Sequence, residues 1–150
     1  MIHEQSRREL IEALAHNARD WVGRAGTVKV DSEDENFILE ILPSAADAAP
    51  VWVVATDWID VQVGSSNSRW KLDYSTEGVR TVEEIVCAVI DGRSTEFRAL
   101  GRAQVQVSLP TGHIRSGIGV QTSWRFLPAP GWRAWGKRQN FTSYTARSSI

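Results

Sequence analysis

The sequence of 150 residues has a single cysteine, Cys87, and no apolar run of the length that a membrane-spanning helix requires. One cysteine excludes a disulfide within the chain, and crossing a bilayer takes about 20 apolar residues. The first residues, MIHEQSRREL, lack the apolar stretch of a secretory signal. We therefore expect a cytoplasmic protein without a membrane partner, and the length predicts one domain spanning residues 1–150.

Acidic residues are missing from the last third of the chain. All 18 lie at or before Glu96, whereas eight of the 17 lysines and arginines follow Phe97. Such asymmetry is typical of a basic binding face or of a charged partner. It also arises when acidic and basic strands lie side by side and neutralise each other. We expect residues 97–150 to pair in the same sheet as the acidic strands.

No motif that carries catalysis on its own occurs in the sequence. A glycine-rich phosphate loop, a nucleophile elbow and paired metal-binding cysteines are all missing. Glu12, His16 and Asp20 recur at helical spacing, but a zinc site usually takes a further histidine or cysteine, so a solvated helix face is favoured. The acidic turn from Asp31 to Asn36 lacks the glycine and the final glutamate of a calcium loop. We predict no catalytic residue, no metal ligand and no cofactor.

Two segments have helical periodicity, and the rest of the chain alternates with the period of strands. Capping-box patterns predict helix starts at Ser6 and Thr81, and glycines predict ends at Gly23 and Gly92. These elements predict an α+β domain: a mostly antiparallel sheet of about eight strands with two amphipathic helices on one face. The end of the chain, residues 142–150, is expected to fray. Strands are predicted at Thr27–Val30, Asn36–Leu42, Val51–Ala55, Trp58–Val63, Arg69–Tyr74, from Phe97, at Ala103–Leu109 and at Ile118–Phe126.

The segment Asp57–Phe97 combines a hairpin, a helix and a strand, and it resembles a unit of small uncharacterised bacterial α+β proteins. The resemblance covers about a quarter of the chain and rests on structural motifs, so it implies no activity. The overall architecture is also similar to that of immunity proteins that neutralise toxins. That second resemblance would imply a protein partner.

Trp58 is the first candidate binding residue. It lies on the polar register of its strand together with Asp60, and the next strand presents Arg69 and Lys71 on its own polar register. A tryptophan on a charged sheet face is typical of an interface hot spot. A bulge near the start of the strand would instead turn the indole inwards, and the sequence leaves both alternatives open.

The stretch PAPGWRAWGKRQ supplies the second group of candidates, which are Trp132, Arg133, Trp135, Lys137 and Arg138. Aromatic rings between cations suit stacking on nucleic-acid bases, an acidic protein partner, or a lid on the protein's own core. We expect at least one indole to pack on the core and the cations to stay exposed.

The sequence therefore predicts a non-catalytic protein-binding module, immunity-like or adaptor-like. Nucleic-acid binding through the basic last third of the chain is the alternative. An enzyme whose carboxylates meet only in the folded chain is a further one, because such a site leaves no local signature. The oligomeric state is left open.

Overall fold

The structure, a computed structural model, describes residues 4–64, 68–99, 102–117, 119–120 and 137–144. In these ranges the chain forms two helices and ten strands. The helices are α1 (Glu4–Val22) and α2 (Thr76–Ile90). The strands are β1 (Gly26–Glu33), β2 (Asn36–Pro43), β3 (Val51–Ala55), β4 (Ile59–Val63), β5 (Arg69–Leu72), β6 (Ser94–Ala99), β7 (Arg102–Leu109), β8 (Gly112–Arg115), β9 (Gly119–Val120) and β10 (Lys137–Phe141). The strands pair antiparallel, which confirms the α+β class.

The strands divide between two sheets. Sheet I is a meander in the order β1-β2-β3-β4-β5, and sheet II has the order β10-β6-β7-β8 with β9 also on β7. For the described residues of the range, the prediction that residues 97–150 pair in the same sheet as the acidic strands is therefore wrong. Most strands pair with their neighbour in sequence, and α2 intervenes between β5 and β6, so a new sheet begins after the helix. Sheet II is still no detached lobe, because Val105, Val107 and Leu109 belong to the same buried cluster as sheet I.

The core lies on the inner face of sheet I, where alternate residues of β2, β3 and β4 are buried. α1 packs across β1, β2 and β3, and α2 packs against α1 and also contacts β5 and β7. α2 thus joins the two sheets. Trp52 and Val54 of β3 face outwards and are half-buried. The largest fully buried side chains include Ile11, Leu14, Leu39, Ile41, Ile59 and Ile85.

The helix ends follow the glycines, but the helix starts do not follow the predicted capping boxes. α1 already begins at Glu4, before Ser6, and α2 begins at Thr76, before Thr81. Gly23 has a φ of 55°, a left-handed conformation that suits glycine at the end of a helix. A hydroxyl inside a helix can bond to a carbonyl of the preceding turn, as the Thr81 hydroxyl does. For that reason the capping-box pattern alone does not locate a start.

The start of α2 is fixed by a small network around Ser75. The Ser75 Oγ accepts the N–H of Gly78 at 3.0 Å, and the Ser75 hydroxyl and N–H both donate to Oδ1 of Asp73. These hydrogen bonds from Ser75 lower the pKa of Asp73. A Cβ on Gly78 would lie 2.2 Å from the Asp73 carbonyl oxygen. Position 78 therefore requires glycine for the close approach of this turn to the helix.

The last described residues of the chain close over the core. Tyr144 is buried, its hydroxyl donates to the Ala49 carbonyl at 2.6 Å, and its N–H donates to the Ile90 carbonyl at 3.0 Å. Burial raises the pKa of Tyr144. The segment expected to fray from Thr142 is thus anchored at its beginning. Residues 145–150 lie outside the described ranges, as does most of the strand predicted at Ile118–Phe126, of which the structure describes only β9.

The position of Leu14 in the core gives a first test of this fold. Leu14 is buried between α1 and sheet I, so Leu14→Ala should lower the free energy of unfolding by about 2–5 kcal/mol. Urea denaturation measures this value. Glu12→Ala, on the exposed face of the same helix, is the matched control and should change it by no more than ~0.5 kcal/mol. Equal and small effects of both substitutions would show that α1 is peripheral.

Candidate protein-binding surface

The turn between β3 and β4 presents Trp58, the most exposed of the large apolar side chains in the described part of the chain. It is 48% exposed. Trp58 lies one residue before β4, on the side of the sheet shared with Asp60. The indole therefore does not turn into the core, which decides between the two alternatives that the sequence left open.

Two hydrogen bonds, at the carbonyls of Thr56 and Trp58, hold the backbone of this turn in place. The Thr56 N–H donates to the Trp58 carbonyl at 2.9 Å, and the Tyr74 hydroxyl donates to the Thr56 carbonyl at 2.6 Å. Burial raises the pKa of Tyr74, so its hydroxyl stays protonated and remains a donor. Because this backbone is already fixed, little backbone entropy is lost when a partner binds the side chain.

Arg7 lies beneath this turn and is a buried cation. Its side chain is 8% exposed, and its Nη2 donates to Oδ1 of Asp57 at 2.7 Å. Its Nη1 donates to the Glu35 carbonyl at 3.2 Å and lies 4.0 Å from the Glu35 carboxylate. A buried charge must be paired and hydrogen-bonded, so Arg7 holds the β1–β2 turn beside the β3–β4 turn.

The role of Arg7 was not predicted from the sequence. A signal was present. Arg7 lies one turn before Leu10 and Ile11, so it continues the apolar stripe of α1. A cation on such a stripe is buried in the folded protein and therefore requires a carboxylate as a partner. The partner residues Glu35 and Asp57 come from two distant turns, which only the tertiary structure brings together.

The two turns enclose an open cleft of about 750 Å³. The carboxylates at its rim reach solvent, since the side chains of Glu35 and Asp57 are 78% and 68% exposed. Arg7 is the one described cation that lines the cleft, and it is already bonded to Asp57. The rim is therefore acidic and suits a positively charged group. The cleft is lined by Arg7, Asp34, Glu35, Asn36, Thr56, Asp57 and Trp58.

The outer face of sheet I continues from Trp58 across β4 and β5. Asp60 is directly opposite Lys71, and Gln62 is opposite Arg69. The Lys71 Nζ lies 4.9 Å from the centroid of the Trp58 ring, a cation–π contact. The structure thus brings four predicted candidates, Trp58, Asp60, Arg69 and Lys71, to one face.

The described members of the second group of predicted candidates, Lys137 and Arg138, do not lie on the face around Trp58. Lys137 and Arg138 are exposed on β10 in sheet II, and the Arg138 guanidinium lies 5.0 Å from the centroid of the Phe97 ring. Trp132, Arg133 and Trp135 lie outside the described residues, so their role as a lid or as a contact stays a prediction.

Other chemistry finds little support in the described ranges. No group of three or more His, Cys, Asp or Glu side chains in them could hold a metal ion. Glu12, His16 and Asp20 are exposed on α1, and the segment from Asp31 forms the end of β1 and the hairpin turn. Burial, reinforced by Asp91, raises the pKa of Cys87, which lowers its thiolate fraction and its reactivity. Within these ranges, neither helix is long and apolar enough to cross a membrane.

Comparison with known proteins identifies no relative. No family model matches the chain, no curated protein matches it, and no solved structure matches it. The surface around Trp58 therefore has to be interpreted from its own geometry.

The dependence of this surface on the Arg7–Asp57 pair can be measured. Asp57→Ala removes the carboxylate from a buried guanidinium and should lower the free energy of unfolding by about 1.5–3 kcal/mol. Asp60→Ala is the control, because this carboxylate lies on the outer face opposite Lys71 and should cost less than ~1 kcal/mol. Chemical denaturation gives both values. A loss of stability in Asp57→Ala no larger than that in Asp60→Ala would show that the Arg7–Asp57 pair does not hold the two turns together.

Proposed function

We propose that the protein is a binding module without catalysis, whose partner is a protein with a basic surface and whose central contact is Trp58. The observation that carries this proposal is the 48% exposed indole on a hydrogen-bonded turn. Tryptophan is among the residues most enriched in interface hot spots.

The charges around Trp58 support a basic partner. Asp34, Glu35 and Asp57 line the cleft on one side of the indole. An acidic rim attracts a basic surface over a distance, which raises the association rate and rejects acidic partners. Lysine and arginine side chains of the partner would enter the cleft, while an apolar group would cover the indole.

An immunity-like or adaptor-like role fits this chemistry. A protein that acts on nucleic acid carries a basic face to bind phosphates, and an acidic module can cover that face. The acidic cleft and the fixed indole support such a role because together they offer both charge complementarity and a specific contact.

Nucleic-acid binding through sheet II is the second candidate, and one observation favours it. Lys137 on β10 is directly opposite Arg98 on β6, and Arg138 follows on the same exposed strand. Like charges directly opposite each other destabilise a sheet, and an anion bound there would relieve the repulsion. Arg98 also pairs with the buried Glu96, which already offsets part of that repulsion.

Selection from a displayed peptide library on the immobilised protein tests the proposal. We expect the selected peptides to be rich in lysine and arginine. Trp58→Ala should weaken their binding by about 2 kcal/mol or more, which is ~30-fold, because it removes the central contact. The thermal stability of the Trp58→Ala variant should stay close to that of the unmodified protein, since the indole is exposed.

The control is the double substitution Lys137→Ala, Arg138→Ala, which should leave peptide binding unchanged. Peptides without a basic bias, or full binding by Trp58→Ala, would contradict the proposal. Binding of an oligonucleotide that weakens steeply with salt and is lost in the double variant would favour the nucleic-acid alternative.

A further inference from the structure

β1 is a long and exposed edge of sheet I. It runs from Gly26 to Glu33, and among the described strands it pairs only with β2. All of its residues are exposed except Gly26 and Val28, which are half-buried. Proteins usually shorten or cover such an edge, because its free backbone groups can pair with another strand.

The hydrogen-bond register shows which backbone groups of β1 are free. The Ser44 N–H donates to the Ala25 carbonyl at 2.8 Å, so these two residues form a hydrogen-bonded pair. Such pairs alternate along an antiparallel ladder, and therefore the odd-numbered residues of β1 bond to β2. The N–H and C=O groups that point away from β2 belong to Val28, Val30 and Ser32, and of these the Ser32 N–H donates to Oδ1 of its neighbour Asp31 at 2.9 Å.

The side chains of β1 differ between its two faces. Val30 lies opposite the fully buried Leu39, on the inner face, yet it is 40% exposed. Lys29 and Asp31 lie on the outer face, opposite Glu40 and Ile38. The edge thus combines free backbone groups, an exposed apolar side chain and two opposite charges two residues apart.

We propose that a second copy of this chain pairs with β1, antiparallel about a two-fold axis at Val30. In this register Val30 lies opposite the partner's Val30, and Val28 lies opposite the partner's Ser32. The outward backbone groups of both strands therefore meet as hydrogen-bonded pairs, in which the Ser32 N–H exchanges the Asp31 carboxylate for the carbonyl of the partner's Val28. The two exposed valines cover each other on the inner face.

Charge complementarity singles out this register. Lys29 lies opposite the partner's Asp31, and by symmetry Asp31 lies opposite the partner's Lys29. A register centred on Lys29 or on Asp31 would put two like charges directly opposite each other, and one centred on Ser32 would put Asp31 opposite Glu33. Like charges in these positions destabilise a strand pair, whereas opposite charges stabilise it. The result is an isologous dimer with one continuous sheet.

The mass in solution tests the dimer, measured by sedimentation or light scattering over a range of concentrations. The unmodified chain should have twice the mass of one copy. Val30→Pro should be monomeric, because it removes a central N–H of the new ladder without removing one that bonds to β2. Trp58→Ala should remain dimeric, so this inference and the proposed function fail separately. A monomeric unmodified chain, or a dimeric Val30→Pro variant, would overturn the proposal.

A charge exchange tests the register itself. Asp31→Lys and Lys29→Glu each place like charges across the two-fold axis, so each variant alone should dimerise about tenfold more weakly. Mixed together, the two variants again offer opposite charges at both positions, and a heterodimer of nearly unmodified affinity should form. Circular dichroism confirms that each variant is folded. Failure of the folded variants to form a heterodimer would exclude the Val30-centred register.

Discussion

A guanidinium withdrawn from water has to be neutralised and hydrogen-bonded, and Arg7 imposes this constraint on one whole end of sheet I. Its bonds to Asp57 and to the Glu35 carbonyl fix α1 against two turns that are distant in sequence. The same bonds bring those turns side by side, which creates the cleft beside Trp58. The candidate surface is therefore a consequence of how a buried charge is satisfied.

The charge asymmetry of the sequence becomes a difference between two sheets that share one core. The acidic turns belong to sheet I, whereas Lys137 and Arg138 lie on an exposed strand of sheet II. α2 and the segment that ends at Tyr144 join the sheets across the core. Two faces of unlike charge around one shared core suit partners of different kinds, and the exposed indole distinguishes the acidic face.

The sequence allowed the buried stripes of both helices, most strands and the polar face of the β4–β5 hairpin to be predicted. A period of two tells which residues face inwards, but not which strands pair, so the division into two sheets could not be predicted. The exposure of Val30 could not be predicted either, because it depends on β1 being the edge strand of sheet I. The acidic cleft escaped prediction since its carboxylates come from two turns that only Arg7 connects.

The most direct measurement of where a partner binds is the ¹H–¹⁵N spectrum of the protein during titration with a basic peptide. The indole resonance of Trp58, assigned by its loss in Trp58→Phe, should shift together with the backbone amides of Glu35 and Asp57. The amides of Lys137 and Arg138 should stay in place. Shifts confined to Lys137 and Arg138, with the Trp58 indole unchanged, would contradict the assignment of the surface around Trp58 as the binding site.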